Sequence, residues 1–314
     1  MDPFCHTLVG AAFGKAGLAR RSPLGMGTLL IAANLPDADI AVLATNTMAV
    51  SFRRGWTHGV LAQALLPPLL ASVMVAFDRL VRRRDGAQHA RFGTLLLLAY
   101  VGVLSHVFLD YLNTYGVRLL MPFSSEWFYG DALYIIDPWI LLILGTGAWM
   151  SWRRERHRHP HPGLPAGIGL LLATCYAGLM VGSTLSARDE VRQGLIRAGQ
   201  PADTRFMVSP VPINPLVREV VIDLGDRYEK GIVSFTPWPR FRPASFGIET
   251  DLADPEVQSA LATPQAHAYR AWARFPFARI DPSRSPPRVW LNDYRYSNTG
   301  PGGWSALDID PSEH

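Results

Sequence analysis

Four near-continuous apolar runs, residues 60–78, 92–112, 132–150 and 164–183, set the terms for this chain. Each approaches the roughly 20 residues that carry a helix across a bilayer. No such run recurs after residue 184. The first part of the chain therefore reads as four membrane spans and the rest as something else. Composition agrees: 48% of the 314 residues are hydrophobic and only 18% charged, oilier than a typical soluble enzyme.

The formal charge of +4 does not point to nucleic acid, because the arginines gather at the ends of apolar runs. They form "DRLVRRRDG" (78–86) and "SWRRERHRHPHP" (151–162). In an oily protein such clusters mark the cytoplasmic side. Placing both there makes 60–78 end inside, 92–112 run outward, 132–150 return and 164–183 exit. Residues 185–314 then lie outside the cytoplasm. Arg53 and Arg54 fall on the outer side, against the rule. Residues 4–19 and 24–35 are apolar but short, and suit a helical hairpin or two short tilted spans. "MDPFCHTLVGAAFGKAGLARR" lacks a basic stretch before an apolar core, so no cleavable signal peptide is expected. Cys5 and Cys175 offer neither a disulfide framework nor zinc-finger spacing.

The tail holds 15 of the 25 prolines and short alternating runs. "REVVIDLGD" (218–226) and "YEKGIVSFTP" (228–237) suggest a hairpin around Gly225 and Asp226. Residues 254–272 look helical. The expected architecture is mainly α: a multi-span helical membrane domain (1–184), then a small soluble α+β domain (185–314).

The chemistry sits in "SHVFLDYLNTYG" (105–116), inside the second run. On a helix, His106 and Asp110 share a face, with Cβ atoms about 5–6 Å apart, and Asn113 lies close to it. An ionisable group in a span costs about 2.5–3.5 kcal/mol on insertion scales, so such a pair is rarely idle. The charge-derived topology sends other polar residues to the same depth: His6, Asp37, Asp39, His58, Asp131 and Asp137. Each alone has a bland reading, a helix cap for the aspartates and a helix-end residue for a histidine. Together they read as a site. His157, His159 and His161 read as loop residues, and His89 and His267 have no supporting pattern. Trp56, Trp127, Tyr129, Trp139 and Trp149 fit an interfacial aromatic belt.

Mixed His and Asp ligation suits a divalent metal, Zn²⁺ best and Mn²⁺ or Fe²⁺ next. Such a site polarises an ester or phosphoryl oxygen and activates water. No H-E-x-x-H, G-x-S-x-G, P-loop or G-x-G-x-x-G motif competes.

"HTLVG", "NLPDAD", "RGWTHG", "SHVFLDYLNTYG" and "WFYGDALYIIDPW" follow one another in an order that resembles the YdjM-like family. These are bacterial inner-membrane proteins described as metal-dependent hydrolases. The resemblance covers roughly residues 1–150 and "VSPVPINPLVREVVI" (208–222). It implies a membrane-bound hydrolase in the inner membrane. A fainter resemblance goes to zinc-dependent phospholipase C and P1-type nucleases, through His106-x-x-x-Asp110 with His6, Asp39 and His58 upstream. Those enzymes use a processed N-terminus as a ligand, whereas Met1 and Asp2 precede the motif here. Their later H-x-x-x-E pair is absent, so Asp131 or Asp137 would have to substitute.

The expected function is therefore metal-dependent hydrolysis of a phosphate ester, a membrane lipid or lipid-linked substrate. His6, Asp39, His58, His106 and Asp110 are the expected ligands. Asp37, Asp131 and Asp137 are the expected further ligand, partner or general base. The rival reading is a transporter or envelope scaffold. Transport needs polar residues through the membrane depth, and the inner halves of these runs are almost wholly apolar.

Overall fold

The computed structural model describes residues 1–45, 52–82, 88–281, 283, 287–297 and 303–309. Arg83, Arg84 and Asp85 of the first charged cluster lie outside these described residues. The chain divides into two compact units, Met1–Gly182 and Ser183–His314.

The first unit is helical. Helix α1 (Pro3–Lys15) starts where the Asp2 carboxylate accepts hydrogen bonds from the Phe4 and Cys5 amides, with Pro3 in the first turn. Helix α2 (Gly25–Ala32) packs against α1 and bends by 50° into a 3₁₀ segment, Leu35–Ala44. Helix α3 (Val60–Phe77) ends in a π-helical turn, Asp78–Arg82, where Asp78 accepts from Arg82 and from the Ala90 amide, both at 2.7 Å. Helix α4 (Phe92–Tyr111) packs on α2 and α3. Helix α5 (Pro138–Arg156) packs on α1, and α6 (Leu164–Arg197) follows.

Among the described residues, three helices are long and apolar enough to cross a membrane: α3 with its π turn, α4 and α6. The bent pair of α2 and Leu35–Ala44 makes a fourth if it counts as one span. Their outward faces stay apolar, as lipid requires: Leu65, Leu69, Leu97, Phe108, Leu171 and Leu179 are all exposed.

Two expected spans differ from the runs that suggested them. The run 132–150 becomes helical only at Pro138, because Asp137 caps the helix and the preceding residues form turns and bridges, Leu133 pairing with Asn113. Helix α5 then runs past the apolar stretch into Arg153–Arg156, and it is not among the three long apolar helices. The run 164–183 continues as helix to Arg197. No Pro interrupts it, and Ala187, Val191 and Leu195 keep one face apolar.

That last stripe belongs to the second unit. There β1 (Phe206–Pro210), β2 (Val217–Asp223), β3 (Arg227–Ser234) and β4 (Arg240–Glu249) form an antiparallel meander in chain order. The expected hairpin forms, with Asp223 opposite Tyr228 across Leu224–Asp226. Strand residues alternate between faces. Val208, Val220, Ile222 and Val233 meet the α6 stripe, while Met207, Val221 and Tyr228 pack with Phe275, Phe277 and Tyr294. Phe277 lies on β5 (Pro276–Asp281), which pairs with β6 (Arg288–Asp293) and then β7 (Leu307–Ile309). Two short helices, α7 (Pro255–Leu261) and α8 (Pro264–Trp272), occupy the stretch expected to be helical. Burial in this layer pushes the Tyr228 and Tyr269 phenols up, so both stay neutral hydrogen-bond donors, to the Pro276 and Ser305 carbonyls.

Candidate metal centre

The buried stripe of α4 is Leu95, Leu98, Ala99, Gly102, Val103, His106, Val107 and Asp110, at helical spacing. His106 and Asp110 continue the packing stripe rather than interrupt it, so both point into the bundle. Gly102 lets α2 come close: a Cβ there would lie 2.4 Å from Ala32 Cβ and 2.9 Å from the Ala33 amide nitrogen. This approach brings the Ala33 carbonyl oxygen 2.7 Å from His106 Nδ1.

A carbonyl only accepts, so His106 Nδ1 carries the proton and Nε2 is a bare lone pair. His58 is fixed in the same way. Its Nδ1 lies 2.9 Å from Thr57 Oγ1, whose hydroxyl donates to Asp39 Oδ2 at 3.0 Å. The hydroxyl's lone pair is therefore left for His58 Nδ1–H. The two Nε2 atoms face each other at 3.2 Å.

Two carboxylates join them. Asp110 Oδ2 is 3.3 Å from His58 Nε2 and 3.6 Å from His106 Nε2. Asp37 Oδ1 is 4.0 and 3.8 Å from the same two nitrogens. The four donor atoms of Asp37, His58, His106 and Asp110 all lie within 4.8 Å of one another and could hold a metal ion. Tetrahedral zinc, with bonds of about 2.0–2.1 Å, sets ligand atoms about 3.3–3.4 Å apart. The His58, His106 and Asp110 atoms, 3.2–3.6 Å apart, are near that, and Asp37 Oδ1 stands wider at 3.8–4.0 Å. Among the described residues, Asp37 Oδ1 and Asp110 Oδ2 are buried without a hydrogen-bond partner. Four donor atoms face inward, Asp37 Oδ1 with no hydrogen bond and Asp110 Oδ2 met by a guanidinium, and such a set could hold a cation.

His6 and Asp39 stand beside this group. The His6 ring stacks on His106 with centroids 3.7 Å apart. Its Nε2 is 3.3 Å from Asp110 Oδ1, in ion-pair range but outside hydrogen-bonding alignment. Asp39 Oδ2 accepts from Thr57 and, at 2.7 Å, from the Arg54 amide, so it orients His58. Asp37, expected as a further ligand, partner or general base, lies within the four-residue group, and Asp39, expected as a ligand, lies outside it against Thr57. The 3₁₀ winding of Leu35–Ala44 decides which of the two faces inward.

Asp137 is committed elsewhere. Its Oδ1 accepts from the Trp139 and Ile140 amides as the N-cap of α5, and Oδ2 accepts from Tyr176. Asp131 is fully buried with a positive φ of 53°, has its own polar contacts, and is outside the group of four.

Arg54 is the residue that sequence reasoning missed. It is buried, with Nε 3.1 Å from Asp110 Oδ2 and Nη1 3.1 Å from Asn113 Oδ1. Asn113 in turn accepts from the Tyr115 amide at 2.8 Å. The Met1 amine lies against Asp110 Oδ1. Arg53 approaches Asp39 and Asp37 at 3.6 and 4.0 Å from a partly open position. The signal was available: these two arginines broke the charge rule, and an arginine on the wrong side is one with a partner to neutralise. Trp127 and Tyr129 stack on each other and Trp127 meets Tyr115 edge-on, with Arg118 over Trp127 at 5.1 Å. Trp56, Trp139 and Trp149 remain exposed on the surface of the unit.

A model of the YdjM inner membrane protein family matches residues 1–187, well over half the chain and every residue of the centre. The chain belongs to this family. It is thus a multi-pass inner-membrane protein. The YdjM match ends before 208–222, so that stretch lies outside it. Over 153 residues the chain is 28% identical to the uncharacterized protein YfhP of Bacillus subtilis (strain 168), covering 45% of this chain and 43% of that one. The match thus spans less than half the length of the curated relative. No solved structure matches the chain, and the fainter likeness to phospholipase C and P1-type nucleases finds no support there.

Proposed function

We propose that this YdjM-family protein is a membrane-bound, metal-dependent hydrolase of a phosphate ester, a phospholipid or a lipid-linked substrate. The observation that carries this reading is the facing pair of bare Nε2 atoms, His58 and His106 at 3.2 Å, ringed by Asp37 and Asp110. Those four residues would hold a divalent ion, and their nitrogen and oxygen donors suit Zn²⁺. When bound, the ion would polarise a phosphoryl oxygen and activate water.

The chain's own groups do the rest. Ala33 and Thr57 hold the two histidines in one tautomer each, and Asp39 steadies Thr57. Arg54 balances Asp110, so the site does not depend on the ion alone to keep that carboxylate buried. Three carboxylates (Asp37, Asp39, Asp110) face two guanidiniums (Arg53, Arg54), so a bound dication leaves the site net positive, which suits a phosphate ester. Arg53, partly open beside Asp37, is placed to meet an anionic group. A transport path would continue polar through α4, whereas its buried stripe from Leu95 to Val103 is apolar. By the arginine rule the centre and the second unit face away from the cytoplasm.

The test uses the full chain in mild detergent, purified without chelators. Elemental analysis should find stoichiometric transition metal. Release of soluble phosphate from phospholipid micelles should stop on chelation, return with Zn²⁺, and be absent in His106→Ala. Absence of stoichiometric metal would overturn the reading.

A further inference from the structure

We propose a second lipid site, distinct from the metal centre: the groove between α5 and α6 at the arginine-rich end of α5 binds an anionic phospholipid. One acyl chain lies in the groove and the phosphate rests on Arg154 and the neighbouring arginines.

Three observations meet at this place. The first is the groove itself, about 390 Å³, walled by Leu142, Ile168 and Leu172 and ending at Arg154. Its floor is formed where Gly147 of α5 and Gly169 of α6 touch: a Cβ on Gly147 would lie 3.3 Å from the Gly169 Cα and 2.9 Å from the Pro165 carbonyl oxygen. The second is uncompensated charge. Arg153, Arg154 and Arg156 have no carboxylate partner among the described residues, and the nearby Glu155 is taken by Lys15 at 2.5 Å. The third is the aromatic setting. Arg153 lies over Trp149 at 5.7 Å and Arg156 over Trp152 at 4.8 Å, and both tryptophans are exposed.

A cluster of arginines at a helix end needs only the membrane-charge rule to explain it. That rule does not call for an apolar groove running up to the same arginine, nor for guanidiniums set over interfacial tryptophans. Basic pockets between membrane helices bind anionic headgroups. A zwitterionic choline lipid would bring a cation against three arginines and is disfavoured. Free phosphate would leave the groove unfilled.

The site is separate from the metal centre. Helix α5 spans 19 residues, about 28 Å, and its far end is the one joined through Leu133 to Asn113. A lipid held here would anchor α5 from the opposite end of the unit and would not be a substrate.

The full chain in mild detergent is titrated with phosphatidylglycerol and with phosphatidylcholine of the same chains, and retained lipid is counted by native mass spectrometry. One phosphatidylglycerol should be retained in clear preference to phosphatidylcholine. Arg154→Gln should weaken it about fivefold, and the Arg153→Gln, Arg154→Gln, Arg156→Gln triple variant should abolish the preference. Leu172→Trp, which fills the groove, should lower retention of both lipids. Soluble glycerol phosphate should not compete. His106→Ala should keep the lipid, which separates this proposal from the hydrolase reading. Equal retention of the two lipids, a preference unchanged in Arg154→Gln, or full competition by glycerol phosphate would each overturn it.

Discussion

His106 Nδ1 lies 2.7 Å from the Ala33 carbonyl oxygen, and this one contact turns the other ring nitrogen into a bare acceptor aimed at His58. The close approach of α4 to α2 at Gly102 makes the contact. Gly102→Ala puts a methyl where Ala32 and Ala33 already sit. The expected result is a loss of about 1–3 kcal/mol in stability, as for other overpacked positions, together with weaker Zn²⁺ binding as Ala33 is pushed off His106. Thermal melting and metal titration of the purified variant check both. Unchanged zinc affinity would detach Ala33 from the centre.

If the four-residue group is the centre, its members act as a unit. His58→Ala, His106→Ala and Asp110→Ala should each strip most bound metal, and His106→Ala with Asp110→Ala should look much like either alone. Elemental analysis of the purified proteins decides this. Strictly additive losses would mean that the residues belong to separate sites.

Arg54 makes a sharper case, because it is a cation beside a cation site. Arg54→Gln leaves Asp110 buried without its guanidinium, which should cost about 3–5 kcal/mol in the metal-free protein. Added Zn²⁺ should recover part of that loss, since the ion meets the same carboxylate. Lysine should not substitute, because Nε and Nη1 contact Asp110 and Asn113 separately. Thermal melts with and without zinc check this. A loss that zinc leaves untouched would make Arg54 purely structural.

By its sequence position Asn113 lies close to the face that carries His106 and Asp110. In the structure it is fully buried, accepting from Arg54 and from the Tyr115 amide. Asn113→Ala should therefore destabilise by about 1–3 kcal/mol, the cost of orphaned buried donors, rather than act on catalysis alone. A stable variant with altered turnover would overturn this structural role.

For the second unit, chain ends matter. Residues 183–314 carry Ala187, Val191 and Leu195, which cover one face of the sheet. Expressed alone, 183–314 should be soluble with mixed β and helical circular dichroism, while 198–314 should aggregate. Equal behaviour of the two would show the helical stripe to be dispensable. For topology, a reporter fused after Arg154 should read cytoplasmic and one after Pro237 extracytoplasmic.

Much of this protein was written in local pattern. Apolar length sets the helices at 60–78, 92–112 and 164–183, because a bilayer imposes a thickness that residues can be counted against, but it misjudges 132–150, where the helix starts only at Pro138. The i, i+4 pair on α4 set the direction of His106 and Asp110. Alternation and a Gly-Asp turn set the β2–β3 hairpin. Capping residues were legible as well, and Asp137 proved to be one.

What local pattern could not supply was every choice between near-equivalents. Asp37 and Asp39 are two residues apart in one acidic stretch, and only the 3₁₀ winding against α4 turns Asp37 toward the histidines and leaves Asp39 behind Thr57. Arg54 looked like a misplaced loop charge until the fold buried it against Asp110. The helix that begins at Leu164 outran its apolar stretch because a sheet more than twenty residues downstream offered Ala187, Val191 and Leu195 something to pack on. In each case the deciding partner is distant in sequence, so the energy that makes the choice exists only once the chain has folded.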